Sequence, residues 1–301
     1  MPSGLLSVSA DNYQAVAQSA VSSALFLGDA GELVSGADAA PSPRLLRQAV
    51  QRARQGLSAA SGRPALLTGV EVRDTLPCTQ GGSIAMTLND ANNNGNIDAG
   101  DSLTLDMQAC REEGALLQGR LVLAMQTLTG VFDSNNFSAT LTMTMTGFSV
   151  STGNDAAQGD GALSLSISQT PAGVGELTLS TPRLVMSGRV AGQNYATTIT
   201  DTRLTLRDET VGGTPRSSIS YASTLASSQF GNRQVVITTP QAFVIVGSDS
   251  YPSSGQLLAR GQGNSAVRIT ALNATQVRLE LDAGGDGSYE TQVTKAWVEL
   301  Q

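Results

Sequence analysis

The segment Asp90-Ala91-Asn92-Asn93-Asn94-Gly95-Asn96-Ile97-Asp98-Ala99-Gly100-Asp101 gathers oxygen-bearing side chains at a chemically meaningful spacing. Counted from Asp90, oxygen side chains stand at positions 1, 3, 5, 9 and 12, with glycine at 6 and an apolar residue at 8. That is the order of a twelve-residue calcium loop. Asp90, Asn92 and Asn94 would offer side-chain oxygens, Asn96 its carbonyl, Asp98 a direct or water-mediated contact, and Asp101 the closing carboxylate. The closing residue is Asp where the pattern asks for Glu, and the flanks read as strands, so neither bidentate reach nor a helix-pair switch follows. Two readings stand side by side: a structural calcium ion bracing a hairpin, and a polar hairpin tip whose side chains satisfy their own backbone.

A shorter echo runs from Asp282 through Asp286 and Gly287 to Glu290. Its third position, Gly284, has no side chain and its twelfth is Val293, so a plain hairpin is expected there. Catalytic chemistry has few carriers. The chain has no histidine, which removes His-based triads, His general bases and His metal ligands together. Lys295 is its single lysine, and no nucleophile elbow, phosphate loop or nicotinamide fingerprint occurs. An enzyme would need paired carboxylates, whose pairing in space a sequence does not give. The expectation is a non-enzymatic protein with no organic cofactor. A formal charge of -7 argues against nucleic acid as a partner.

Cys78 and Cys110 bracket what reads as one long hairpin. Two sulfurs without histidine cannot complete a tetrahedral metal site, so a disulfide is the favoured reading over two reduced core cysteines. A disulfide in turn points to an oxidising, extracytoplasmic compartment. The first residues lack the basic region and apolar core of a signal peptide, and no window of about 18 apolar residues suggests a membrane helix. Membrane attachment is expected only through a lipidated N-terminal segment that is missing or removed.

The elements that must position these residues follow from periodicity. Residues 11–27 read as a helix capped by Asp11 with Gln14, striped by Tyr13, Val16, Ala17, Ala20, Val21, Ala24 and Leu25, and ended by Gly28. Ser42 and Pro43 open a second helix with Leu46, Val50, Ala53 and Leu57 on its buried side and Arg44, Arg47, Arg52 and Arg54 solvated. Beyond Pro64 the period becomes two, most clearly where Leu141, Met143 and Met145 alternate with Thr140, Thr142, Thr144 and Thr146. Phe148 and Val150 follow on the opposite parity, so a bulge is expected at Gly147. The expected fold is mainly β: a long antiparallel meander forming a strongly curved sheet or half-barrel, with two N-terminal helices packed against it. Residues 1–63 form the helical segment and 64–301 the β domain, together one structural unit. An outer-membrane barrel is disfavoured by an aromatic content of only 4%.

The stretch Gly81-Gly82-Ser83, Asn89 through Gly95, Asp98 through Leu105 and Cys110 resembles exported β-rich proteins and lipoproteins of Gram-negative bacteria that have no characterised activity. Phe243 through Gly247, Tyr251 through Leu257 and Leu279 through Gly287 resemble the same class. The resemblance implies the periplasm or an outer-membrane-associated location and carries no residue-level activity. Two functions remain in view: a structural protein binding an envelope protein or polymer surface, and a periplasmic carrier of a lipid or other apolar ligand.

Overall fold

The computed structural model describes residues 4–35, 70–112, 114–131, 134–152, 155–190 and 193–300. After one helix, α1 (Tyr13–Ser35), come fourteen strands: β1 (Val70–Pro77), β2 (Ser83–Asp90), β3 (Ser102–Glu112), β4 (Ala115–Gly130), β5 (Phe137–Thr152), β6 (Asp155–Gln169) and β7 (Gly175–Val190), then β8 (Gln193–Val211), β9 (Thr214–Ser227), β10 (Arg233–Val246), β11 (Ser254–Arg260), β12 (Ala266–Asn273), β13 (Gln276–Asp282) and β14 (Thr291–Ala296). They hydrogen-bond strictly in chain order, so the expected meander is what forms. Strands β1 and β14 stand at the two ends of that order, with no pairing between them among the described residues.

Contacts divide the chain into two compact units, one of Met1–Ala40, Ala172–Arg183 and Thr197–Gln301, the other of Pro41–Pro171 and Leu184–Ala196. In the second unit the alternation seen in sequence becomes burial: Ile84, Met86 and Leu88, then Leu103, Leu105 and Met107, then Leu141, Met143 and Met145 are all buried. Each such run places one face of its strand in an apolar interior, which is the main driving force for the sheet. In the first unit Ile199, Leu204, Leu225, Ile237, Leu257, Ile269 and Leu279 do the same with almost no methionine.

Helix α1 packs on β11, β12, β13 and the 3-10 turn Trp297–Leu300, burying Tyr13, Val16, Ala17, Ala20, Val21 and Leu27. Its start differs from the expected Asp11 cap. Asn12 precedes Tyr13, its Oδ1 accepts the Ser9 N–H at 2.9 Å and its Nδ2 donates to the Ser7 carbonyl. Gly28 does not end the helix, because a single interior glycine costs only about 1 kcal/mol and the helix continues to Ser35. Among the described residues this is the one α-helix. The second expected helix, with Leu46, Val50 and Leu57, lies outside the described residues, as does the 63/64 boundary, and nothing is described of the Leu25 side chain. Strand β14 ends at Ala296, before the 3-10 turn that buries Trp297 and Leu300. Among the described residues no helix is long and apolar enough to cross a membrane.

Cys78 and Cys110 are joined, with Cα atoms 5.5 Å apart. The bond ties the β1–β2 turn to β3, where the Gln80 N–H donates to Arg111 O and the Arg111 N–H to Gly81 O. Closing a loop of this length contributes about 3 to 4 kcal/mol in the chain-entropy account. The bulge expected at Gly147 is present: the β5–β6 register shifts between Met145 and Phe148. The same extra residue of β5 shifts its register with β4, between Gln118 and Arg120. Gly119 between them has φ +97°, and a Cβ there would lie 2.2 Å from the Gly147 carbonyl oxygen. Gly119→Ala should therefore destabilise the fold by about 2 kcal/mol or more, read as a lowered urea midpoint with an unchanged slope. An unaltered midpoint would mean that the bulge yields freely.

Candidate functional site

Two loops stand out, one in each unit. The first joins β2 to β3, and both acids at its root are buried: Asp90 is 1% and Asp101 2% exposed. Asp90 ends a strand in line with Ile84, Met86 and Leu88, so the alternation that buries those side chains also turns its carboxylate inward. There it serves the loop backbone. Its Oδ1 accepts the N–H groups of Asn93 at 2.6 Å and Asn94 at 3.3 Å, and its Oδ2 that of Gly95 at 2.8 Å. Asp101 closes the other side, accepting the N–H groups of Ala91 at 2.9 Å and Asp98 at 2.8 Å. Burial pushes the Asp101 carboxyl above the ordinary range; those two N–H donors pull it back, and the charges of Asp98 and Asp90 add to the rise.

The remaining predicted ligands point at one another. Asn92 donates through Nδ2 to both Asp98 oxygens at 2.9 and 2.8 Å, and Asn94 Nδ2 donates to Asp98 Oδ2. The Asn92 and Asn94 oxygens accept the N–H groups of Asn94 and Asn96. All six residues, Asp90, Asn92, Asn94, Asn96, Asp98 and Asp101, thus lie in one loop. A calcium ion fits this donor set only if both amides turn their oxygens toward Asp98 in place of their NH2 groups.

The second loop joins β13 to β14 and repeats the same scaffold. Asp282, 4% exposed, accepts the N–H groups of Gly285 at 2.6 Å on Oδ1 and Gly287 at 2.9 Å on Oδ2. These are the third and fifth residues after the acid, as Asn93 and Gly95 are after Asp90. The twelfth-position acid judged missing is not needed, because Glu290, at position 9, reaches back to the Ala283 N–H at 3.1 Å. Asp282, Asp286 and Glu290 each bring a carboxylate oxygen within 4.8 Å of the others, the one such group of three among the described residues. The signal for it was present in the sequence as acids at positions 1, 5 and 9. Backbone N–H groups, Ala283's first, hold the Glu290 carboxyl below its ordinary range, against the raising effects of burial and of Asp286.

The root of this loop is an ion-pair network that pattern reading missed. On β13, Val277, Leu279 and Leu281 fill the interior while Glu280, on the opposite face, is also buried. Arg268 forks onto Glu280 at 2.9 and 2.8 Å, Thr270 Oγ1 donates to it at 3.3 Å, and Arg278 lies 3.3 Å away. The Tyr289 ring covers the Arg268 guanidinium at 3.8 Å. The cross-strand pair Arg268↔Glu280 carries no motif, and only the β12–β13 register brings it together. Comparison of the chain with protein-family models, curated proteins and solved structures yields no match.

Two measurements test these loops. Burial opposes the Glu280 charge, but the Arg268 fork, the Arg278 charge and Thr270 together outweigh it and hold the carboxyl below its ordinary value of 4.5. A depressed folded value means that this stabilisation is complete above the unfolded value and is lost as pH falls through the folded one. Glu280→Gln should thus cost about 2 kcal/mol or more at neutral pH, and the gap to wild type should narrow in acid, as followed by melting temperature against pH. For calcium, the three converging carboxylates make Asp282, Asp286 and Glu290 the stronger set. Any calcium-dependent thermal stabilisation should survive loss of Asp90 and Asp101 and disappear with Asp286→Asn and Glu290→Gln together, and its absence would leave both loops as polar turns. The reverse pattern would return the site to the first loop.

Proposed function

We propose that this chain is an extracytoplasmic structural or binding protein of the bacterial envelope with no catalytic task, and that it contacts an uncharged, hydroxyl-rich polymer through the outer face of its second unit. The observation that carries this reading is the chemistry of that face. Opposite the buried leucines and methionines, register sets Thr142 beside Ser164 and Ala124, and Thr140 beside Ser166 and Thr127. Ser164 and Ser166 are exposed, Thr142 and Thr144 half-buried. Short hydroxyl side chains give up little rotamer freedom on contact and both donate and accept hydrogen bonds, without the desolvation cost of charge. Charge enters between β3 and β4 as the Asp106–Arg120 fork, already neutralised within itself. The disulfide supports the oxidising compartment.

A second reading, carriage of a lipid or other apolar ligand, is favoured by one feature. Met86, Met107, Met125, Met143 and Met145 are all buried on the inner face of the same unit, and methionine packs adaptably against varied apolar shapes. One preparation separates the two. Purified protein should sediment with insoluble envelope polysaccharide, and Thr142→Lys with Thr144→Lys should weaken retention about tenfold at unchanged melting temperature. Protein that stays in the supernatant, and releases lipid on organic extraction in native mass spectrometry, would replace the first reading with the second.

A further inference from the structure

The dipeptide Asn94-Gly95 is the one Asn-Gly step in the chain. Asn-Gly is chemically labile because glycine offers no side chain to shield its nitrogen. That nitrogen can attack the Asn carbonyl carbon Cγ, expel ammonia and close a succinimide, which water then opens to aspartate or isoaspartate. The reaction needs the Gly95 nitrogen to lose its proton and the Asn94 side chain to swing onto it.

The first loop blocks both requirements. The Gly95 N–H donates to Asp90 Oδ2 at 2.8 Å. Removing its proton would place a negative charge against a carboxylate that is 1% exposed, where the surroundings screen repulsion poorly. The Asn94 side chain is fixed at both ends: its Oδ1 accepts the Asn96 N–H at 2.7 Å and its Nδ2 is bonded to Asp98. We propose that Asn94-Gly95 is a deamidation site held in its amide form by the Asp90 carboxylate.

Release of that hold has a defined product. Hydrolysis toward aspartate puts a carboxylate at the fifth position, the place Asp286 occupies in the second loop. The change is one-way, since ammonia leaves and water is added, and it brings a further negative charge beside Asp90, Asp98 and Asp101. Hydrolysis toward isoaspartate instead lengthens the backbone and breaks the spacing that seats Gly95 on Asp90.

Peptide mapping by mass spectrometry, after incubation of the full chain in mildly alkaline buffer, reads the conversion at Asn94 directly. Folded wild type should convert about tenfold or more slowly than the urea-unfolded chain, and Asp90→Ala should remove most of that difference. Asp101→Ala, which deletes an equally buried carboxylate but leaves the Gly95 bond in place, should stay near the wild-type rate. Equal rates in folded and unfolded wild type overturn the proposal, and so does acceleration by Asp101→Ala as large as that by Asp90→Ala. Hydrogen exchange of the Gly95 amide in wild type needs no variant: protection is expected, and exchange at the rate of a free peptide overturns the assignment.

Discussion

Among the described residues each strand lies in the sheet beside its neighbours in sequence, and most of the long strands bury one face, so the register of each pair decides everything built on it. A slip of one residue would turn Leu141, Met143 and Met145 to solvent and the threonines inward, a loss of several buried side chains at once. The protein accommodates irregularity through local insertions that restore parity. The extra residue of β5 at Gly147, opposite Gly119, is one such device, and the shift between Thr200 and Arg203 on β8 is another. At the latter, Asp201 takes a positive φ of 51°. Thr202 turns into the interior, where its hydroxyl meets that of Ser223 at 2.9 Å.

The two polar loops both rest on buried acids. Asp90 and Asp282 are the last residues of their strands, Asp90 in line with the interior Ile84, Met86 and Leu88, and Asp282 on the face of the buried Glu280, opposite Leu279 and Leu281. A carboxylate forced out of water needs donors, and the nearest are the N–H groups of the turn that follows. Turn and strand end thus fix each other. The acid dictates where the chain must bend, and the bend, with Gly95 at φ 75° and Gly287 at φ 87°, supplies the hydrogen bonds that make the buried acid tolerable.

Much of this was legible in the residues. Period-two runs marked the strands, parity marked the Gly147 bulge, and paired cysteines around one hairpin marked the disulfide. What escaped has physical reasons. The end of α1 was placed at Gly28 because propensity is local, while the helix is held by Val16, Ala20 and Leu27 against distant strands. The second loop does not fit a twelve-position template because its hairpin closes at its ninth residue, Glu290. The Arg268–Glu280 pair has no local signature, since its partners meet only across a ladder.

The N-terminal strap has a consequence for how the chain reaches this state. Leu5 bridges Gln234 in parallel, the Leu6 N–H donates to Gln234 O at 2.8 Å, and the Val8 N–H reaches Ser265 Oγ, 257 residues downstream. Gly261 is the partner wall: a Cβ there would sit 1.9 Å from Leu6 O. The strands can zip together hairpin by hairpin as they leave a ribosome or a translocation pore, because each needs only the one before it. Residues 5–8, together with the apolar stripe of α1, are made well before the strands they contact and must wait for them. Until β10 to β13 arrive they present uncovered hydrophobic surface, so this early-made segment is the part of the nascent chain most in need of a chaperone's protection.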